Sequence, residues 1–193
     1  MLTLLQDYRR TLVLAAVIGA ALAFALSGAR LATWEALLPV FEWMETTPFG
    51  VIGKTWGAAF AGVEALHLLG MAVLGGSVLA ADGRLLGLLL RDVPVATVLE
   101  QSHRLFVWSL LLVVFTGVFM ACGVAVKIYY LGVFWYKMLA LFIGVGFVFF
   151  VRRPLLRGAI DDLHPAVPRL VAVASLMIWF SVAATGRWIG FSG

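Results

Sequence analysis

A few polar side chains lie inside otherwise apolar stretches of this sequence, and their types are those that bind cofactors. Glu64, His67 and Met71 are spaced at i, i+3 and i+7, which places them on one face of a helix. Imidazole binds haem iron and copper, and thioether sulfur is a ligand of copper(I). A carboxylate one turn away can fix the tautomer of a metal-bound histidine. His67 is therefore the first candidate for a functional centre.

Depth in the membrane suggests which residues surround His67. Counting from the ends of the apolar stretches places Lys137 level with Glu64, and Thr116 and Gly117 level with His67. Equal depth and opposite charge predict contact between Glu64 and Lys137, and Gly117 would leave room for a flat cofactor. We therefore expect these five residues to line one cofactor pocket. The alternative is a structural Glu64–Lys137 ion pair beside a histidine that only hydrogen-bonds within the bundle.

A metal in the same pocket would use His67, Met71 and Met120. Met120 is the nearest candidate by depth for the second axial ligand of a haem. His103 lies about 18 Å from the level of His67 along the membrane normal, so a bis-histidine site with His103 is not expected. The alternative interpretation is that the methionines only fill the core.

The composition places these residues in a membrane protein. Of 193 residues, 63% are hydrophobic and 12% are charged, whereas a soluble domain has roughly 25% charged residues. Basic residues outnumber acidic ones, but no basic run with interleaved aromatic residues occurs, so nucleic acid is not an expected partner. We expect the lipid bilayer as solvent, and other membrane subunits or a second copy of the chain as partners. The single cysteine, Cys122, excludes an intrachain disulfide.

Stretches with few charges predict an all-α fold, a polytopic membrane helical bundle that forms one domain over residues 1–193. Each is close to the ~20 residues that cross a bilayer. Between the first and second, apolar residues recur at helical spacing with interspersed glutamates, which predicts a short interfacial helix. The expected spans are 11–29, 57–81, 104–126, 131–151 and 169–187, and the interfacial helix covers about 31–44.

Charge asymmetry predicts the orientation. If the N-terminus lies in the cytoplasm, most arginines fall in cytoplasmic segments, as the positive-inside rule requires. The tryptophans and tyrosines near span ends then collect at the outer interface as an aromatic belt. We therefore expect a bacterial inner-membrane protein with a cytoplasmic N-terminus and a periplasmic C-terminus. The belt residues are Trp34, Trp43, Trp56, Tyr129, Tyr130, Trp135, Tyr136 and Trp188.

Five short motifs carry a resemblance to a bacterial family of small membrane proteins of unknown function. Over about Trp56 to Trp188 the chain resembles that family, and more distantly it is similar to CopD-like copper-resistance proteins and cytochrome b561-like bundles. Those similarities imply a helical bundle with histidine-bound haem or copper. The chain lacks the histidines for two bis-histidine haems, so at most one haem is implied. The motifs are Glu64-Ala-Leu-His67-Leu-Leu-Gly70, Asp82-Gly-Arg84-Leu-Leu-Gly87, Thr116-Gly117, Phe134-Trp-Tyr-Lys137 and Gly186-Arg187-Trp188.

Three functions fit these observations. The expected one is an inner-membrane redox or electron-transfer subunit that binds one b-type haem or a quinone near His67. The alternatives are a copper-handling transporter and a non-catalytic structural subunit of a larger membrane complex. No nucleophile–base pair, phosphate loop or paired carboxylates appear in the sequence, so an enzyme of this kind would be a non-hydrolytic subunit of a membrane oxidoreductase.

Overall fold

A computed structural model describes residues 9–157, 160 and 163–192, and the described part contains helices and no strand. Three of the described helices precede the first long helix, and one short helix lies between the second and the third long segments. The helices are α1 (Arg9–Leu26), α2 (Ala29–Thr46), α3 (Pro48–Thr55), α4 (Gly57–Leu85), α5 (Val95–Gly123), α6 (Ala125–Tyr130), α7 (Gly132–Gly146), α8 (Arg153–Leu156) and α9 (Ala166–Ile189).

Four helical segments are long and apolar enough to cross a membrane: α4, α5, the continuous segment Gly132–Leu156 and α9. This is consistent with a multi-pass membrane protein. The expected fifth span corresponds to α1, which has 18 residues and whose apolar part, Ala15–Phe24, is shorter than a span. The expected helix at 31–44 is present as part of α2, which continues through Pro39. The structure thus supports four spans and leaves the fifth unconfirmed.

The third span widens near its end into a π-helical turn, Phe147–Arg152, that joins α7 to α8. Pro154 follows two residues after the end of this turn, and proline has no N–H group with which to continue the hydrogen-bond pattern of the preceding turn. Single π turns inside helices occur frequently at functional sites. Here the turn ends at Arg152, a buried charged residue.

The spans pack around one apolar cluster in which every span is represented. It contains Leu74 and Val78 of α4, Phe106 and Leu110 of α5, Val148 of the π turn and Trp179 of α9. The rings of Phe106 and Trp179 meet edge to face with centroids 5.2 Å apart. Helix α4 packs against both α5 and α9, and α9 also packs against α7. The polar residues described below lie above and below this cluster.

An aromatic cluster covers one end of the bundle, which we call the aromatic end. Tyr129 of α6 is 1% exposed, its hydroxyl donates to the carbonyl of Trp34 at 2.5 Å, and its ring contacts those of Trp34 and Phe41. Glu45 of α2 accepts a hydrogen bond of 2.9 Å from the N–H of Val126. These contacts fix α2 and α6 to each other across the ends of the spans.

The opposite end, which we call the arginine end, contains the tight connection from α4 to α5. A Cβ at Gly83 would lie 2.6 Å from Cδ1 and 3.2 Å from Cβ of Leu89, so a larger residue here would require the Leu89 side chain to shift. Gly87 has a φ of +73°, which favours glycine. Arg84 Nε then donates to the carbonyl of Val93 at 2.9 Å. This motif holds Asp82, one residue before Gly83, inside the bundle.

Candidate functional site

His67 is buried on α4 and is held by one hydrogen bond to α5. Its Nδ1 lies 2.8 Å from Oγ1 of Thr116, and the two residues are 8% and 2% exposed. The Thr116 hydroxyl also lies 2.7 Å from the carbonyl oxygen of Leu112, to which it donates its only hydrogen. Thr116 therefore accepts from Nδ1–H of His67. In that tautomer Nε2 carries a lone pair, so His67 is available as a base or a metal ligand.

Gly117 allows His67 and α5 to approach closely. A Cβ at position 117 would lie 3.2 Å from Cε1 of His67. The space that the sequence assigned to a flat cofactor is thus taken up by the imidazole ring itself. Thr116 and Gly117 are both next to His67 as expected. The absence of a side chain at Gly117 is not evidence for haem, because the imidazole fills that space.

The expected Glu64–Lys137 contact is wrong. In the described part of the chain the ion pairs are Lys54–Glu45 and Arg152–Asp82, and neither Glu64 nor Lys137 takes part in one. Glu64 is exposed on the surface of α4, whereas Lys137 is half-buried against α9, where a Cβ at Gly186 would lie 3.6 Å from its Nζ. Equal depth in the membrane was not enough to predict this contact, because Glu64 lies on the surface of α4 whereas Lys137 packs against α9.

Glu64 and Lys137 nevertheless both lie close enough to His67 for their charges to act on its imidazole. Lys137 is thus a half-buried cation near an imidazole whose Nε2 is available. Among the residues that the structure describes, it has no carboxylate within ion-pair distance. A polar ligand oxygen between His67 and Lys137 would satisfy both groups.

The proposed metal ligands other than His67 occupy less favourable positions. Met71 is 37% exposed on α4, and Met120 is half-buried on α5. No group of three or more His, Cys, Asp or Glu side chains that could hold a metal ion occurs within the described ranges. His103 lies in another part of the bundle, next to Phe106 and Phe149.

A second polar site lies near the arginine end. Asp82 of α4 is fully buried, and its Oδ1 lies 3.0 Å from Nη2 of Arg152 at the end of the π turn. This is an ion pair without hydrogen-bond geometry, because both carboxylate oxygens lack a hydrogen-bond donor in the described part. Ser175 of α9, also fully buried, lies beside the carboxylate. The pair connects α4 to the third span.

A cavity of about 540 Å³ opens next to this ion pair, between the first half of α5 and the segment from the π turn to α8. Its wall combines apolar side chains with arginines and a histidine. Nε2 of His103 is buried there and has no hydrogen-bond partner among the described residues. Residues that line it include Leu99, His103, Phe106, Arg152, Arg153 and Arg157.

Comparison with known proteins gives one match. The model of a family of unknown function, DUF6644, fits residues 40–192 of the chain. The chain belongs to the DUF6644 family. No curated protein and no solved structure matches it. The similarity to CopD-like and cytochrome b561-like proteins that the motifs suggested therefore finds no support in these comparisons.

The DUF6644 match includes all four spans, His67 and the cavity near Asp82, whereas α1 lies outside it. Both polar sites are thus part of the region that defines DUF6644. Helix α1, which would be the fifth span, lies outside that region.

Sequence reasoning missed the Asp82–Arg152 pair in this DUF6644 chain because it ended the second span at residue 81. The helix continues to Leu85, so Asp82 still lies inside the bundle. Two signals were present. Asp82 and Arg152 have opposite charges at the C-terminal ends of two spans that run parallel, and Asp82 begins one of the motifs that carried the resemblance.

Proposed function

We propose that the protein is a redox subunit of a bacterial inner membrane that binds a quinol or quinone at His67 and Lys137. One observation carries this proposal. The hydrogen bond from Nδ1–H of His67 to Thr116 leaves Nε2 with a lone pair, and the charge of the half-buried Lys137, which has no ion-pair partner in the described ranges, acts on the same imidazole. A quinol hydroxyl can donate to Nε2 while Lys137 donates to a ligand oxygen.

The chemistry of such a site follows from the two groups. A quinol that is oxidised gives up two protons and two electrons, the electrons here passing one at a time to a partner protein whose haem or iron–sulfur centre is re-oxidised between the two transfers. Nε2 of His67 is able to accept one of those protons, and the second leaves to water. The positive charge of Lys137 stabilises the oxygen as negative charge develops on it. The role of the protein is to bind and orient the quinol.

A b-type haem with His67 as axial ligand is the second candidate. It is favoured by the hydrogen bond from Nδ1 to Thr116, because metal-bound histidines usually donate their other N–H in this way. The close contact of His67 with position 117 counts against a large planar group on that side. Copper, with Met71 and Met120 as further donors, is the alternative metal at the same histidine.

A partner subunit or second copy is part of this proposal. Glu64 is exposed on a membrane-spanning helix, and ionisable groups at membrane depth normally face protein or water rather than lipid. A neighbouring membrane protein that covers this face of α4 would remove that cost. Five spans, an interfacial α2 and a periplasmic C-terminus complete the proposed arrangement.

Equilibrium titration of the purified protein with decylubiquinol tests the quinol site. We expect His67→Gln and Lys137→Met each to weaken binding roughly tenfold or more, because each removes a hydrogen bond in a site of low polarity. The matched control is His103→Gln, which removes a histidine near the other cavity and should leave the affinity unchanged. Loss of binding in His103→Gln, with none in His67→Gln, would contradict the assignment.

A visible spectrum and a metal analysis of the same preparation decide between quinol, haem and copper. A Soret band that is lost in His67→Ala but kept in His103→Ala would favour haem. Copper that is retained by the wild type and lost in His67→Ala would favour the metal transporter. If the protein binds neither quinol, haem nor copper, the redox and copper proposals are wrong and the protein is a structural subunit of a larger membrane complex.

A further inference from the structure

The cavity near Asp82 is lined by residues from the N-terminal half of α5 and from the C-terminal end of the third span, and the ends of a span lie near the lipid headgroups. Part of its wall is apolar and includes Leu99, Phe106, Val148 and Leu156. Its volume of about 540 Å³ lies in the range of ligand sites. Helix α5 and the segment that contains the π turn form its opposite sides, so the cavity extends between two spans.

Positive charge dominates the polar part of this wall. Arg152, Arg153 and Arg157 line the cavity, and Glu100 is the one carboxylate on the same wall among the described residues. Arg152 pairs with Asp82 behind it, whereas Arg153 and Arg157 form no ion pair within the described ranges. Arginine offers several N–H donors in a planar arrangement that suits phosphate oxygens.

His103 adds a neutral donor or acceptor to this group. Its Nε2 is buried, has no hydrogen-bond partner in the described part and belongs to the lining of the cavity. Arg152, Arg153, Arg157 and Glu100 line the same cavity as His103, and their charges act on its imidazole. A buried polar atom without a partner is unfavourable, and a ligand oxygen at this position would satisfy it.

We propose that this cavity binds the phosphate group of an anionic membrane phospholipid. Arg153 and Arg157 bind the phosphate oxygens, Nε2–H of His103 donates to the headgroup, and an acyl chain lies along Leu99 and Phe106. Asp82 holds Arg152 at the back of the site, and this ion pair partly neutralises the positive charge of Arg152. This site is separate from that of His67 and does not depend on the proposed redox function.

Binding of dioleoyl-phosphatidylglycerol to the detergent-purified protein, measured by native mass spectrometry, tests the proposal. We expect the wild type to bind this lipid in preference to dioleoyl-phosphatidylcholine, which has the same chains and a neutral headgroup. Arg153→Gln/Arg157→Gln should weaken binding of the anionic lipid roughly 10- to 100-fold, because each guanidinium contributes a charge-assisted hydrogen bond. Both arginines lie at the edge of the bundle, and circular dichroism checks that the variant remains folded.

The matched control is Arg104→Gln/Arg169→Gln, which removes the same charge from exposed positions at the same end. This variant should bind the anionic lipid like the wild type. Equal losses in both double variants would show that only general surface charge attracts the lipid, and would overturn the proposal. Equal binding of phosphatidylglycerol and phosphatidylcholine to the wild type would also overturn the proposal.

Inorganic phosphate serves as the probe for a soluble ligand. If it does not displace phosphatidylglycerol, the apolar wall contributes to binding and the lipid is the ligand. If phosphate binds as tightly as the lipid and only in proteins with intact Arg153 and Arg157, the site takes a soluble phosphate anion and the lipid assignment is wrong.

Discussion

Among the polar residues at membrane depth, His67 and Asp82 are buried while Glu64 is exposed. The two buried residues differ in whether their polar atoms form hydrogen bonds. His67 has a hydrogen bond that fixes its tautomer, whereas Asp82 has a counter-ion but no hydrogen-bond donor in the described part. His67 is thereby positioned for a ligand, while Asp82 depends on Arg152.

Glu45 gives a prediction about acid stability at the aromatic end. Its burial raises its pKa, but hydrogen bonds from Lys54 and the N–H of Val126 outweigh this and hold the pKa below the ordinary value of 4.5. Because the folded-state pKa is the lower one, Glu45 contributes stability above about pH 4.5 and loses it as the pH falls further. We expect Glu45→Gln to flatten the pH dependence of the melting temperature below about pH 5.

The matched control is Glu42→Gln, since Glu42 lies on the same helix, is exposed and forms no ion pair within the described ranges. It should keep the acid dependence of the wild type. Identical pH profiles for Glu45→Gln and the wild type would show that the contacts of Glu45 do not stabilise the fold.

At the scale of the helices, the spans were predictable and the directions of side chains were not. Apolar stretches between charges located α4, α5, the third span and α9, because charge-free length is what a bilayer selects. Glu64 and Lys137 did not pair, since depth gives the height of a residue but not the side of the helix from which it projects. His67 and Thr116 did meet, because their helices pack along their whole length.

The Asp82–Arg152 pair gives a prediction about how α4 is attached to the third span. Asp82→Asn or Arg152→Gln alone should lower the free energy of unfolding by ~3–5 kcal/mol, because each leaves one buried charge without its partner. Asp82→Leu/Arg152→Met should cost much less, since no buried charge remains. Unfolding in mixed micelles measures all three variants.

Arg153→Gln is the control, because Arg153 is the next residue, is half-buried and has no ion pair in the described part. Its loss should change stability little. If the losses in the two single variants simply add in the double variant, Asp82 and Arg152 do not stabilise each other.

At the scale of the whole molecule, the open question is whether α1 is a fifth span. Four spans place Gly57 and Ile189 on the same side of the membrane, and the connections from α4 to α5 and from α8 to α9 on the other. Helix α1 has 18 residues, which at 1.5 Å per residue is about 27 Å, slightly less than the ~30 Å of a hydrocarbon core. Arg9 and Arg10 at its start favour a cytoplasmic N-terminus by the positive-inside rule.

Single cysteines and a membrane-impermeant maleimide answer this question in whole cells. In a Cys122→Ala background, we expect Ser192→Cys to be labelled in intact cells, and Asp92→Cys and Asp7→Cys only after the membrane is permeabilised. The background protein without cysteine controls for non-specific reaction. Labelling of Asp7→Cys in intact cells, with Asp92→Cys still protected, would mean that α1 does not cross the membrane. Labelling of Asp92→Cys in intact cells would reverse the whole orientation, and with it the side of the membrane on which the arginine-lined cavity opens.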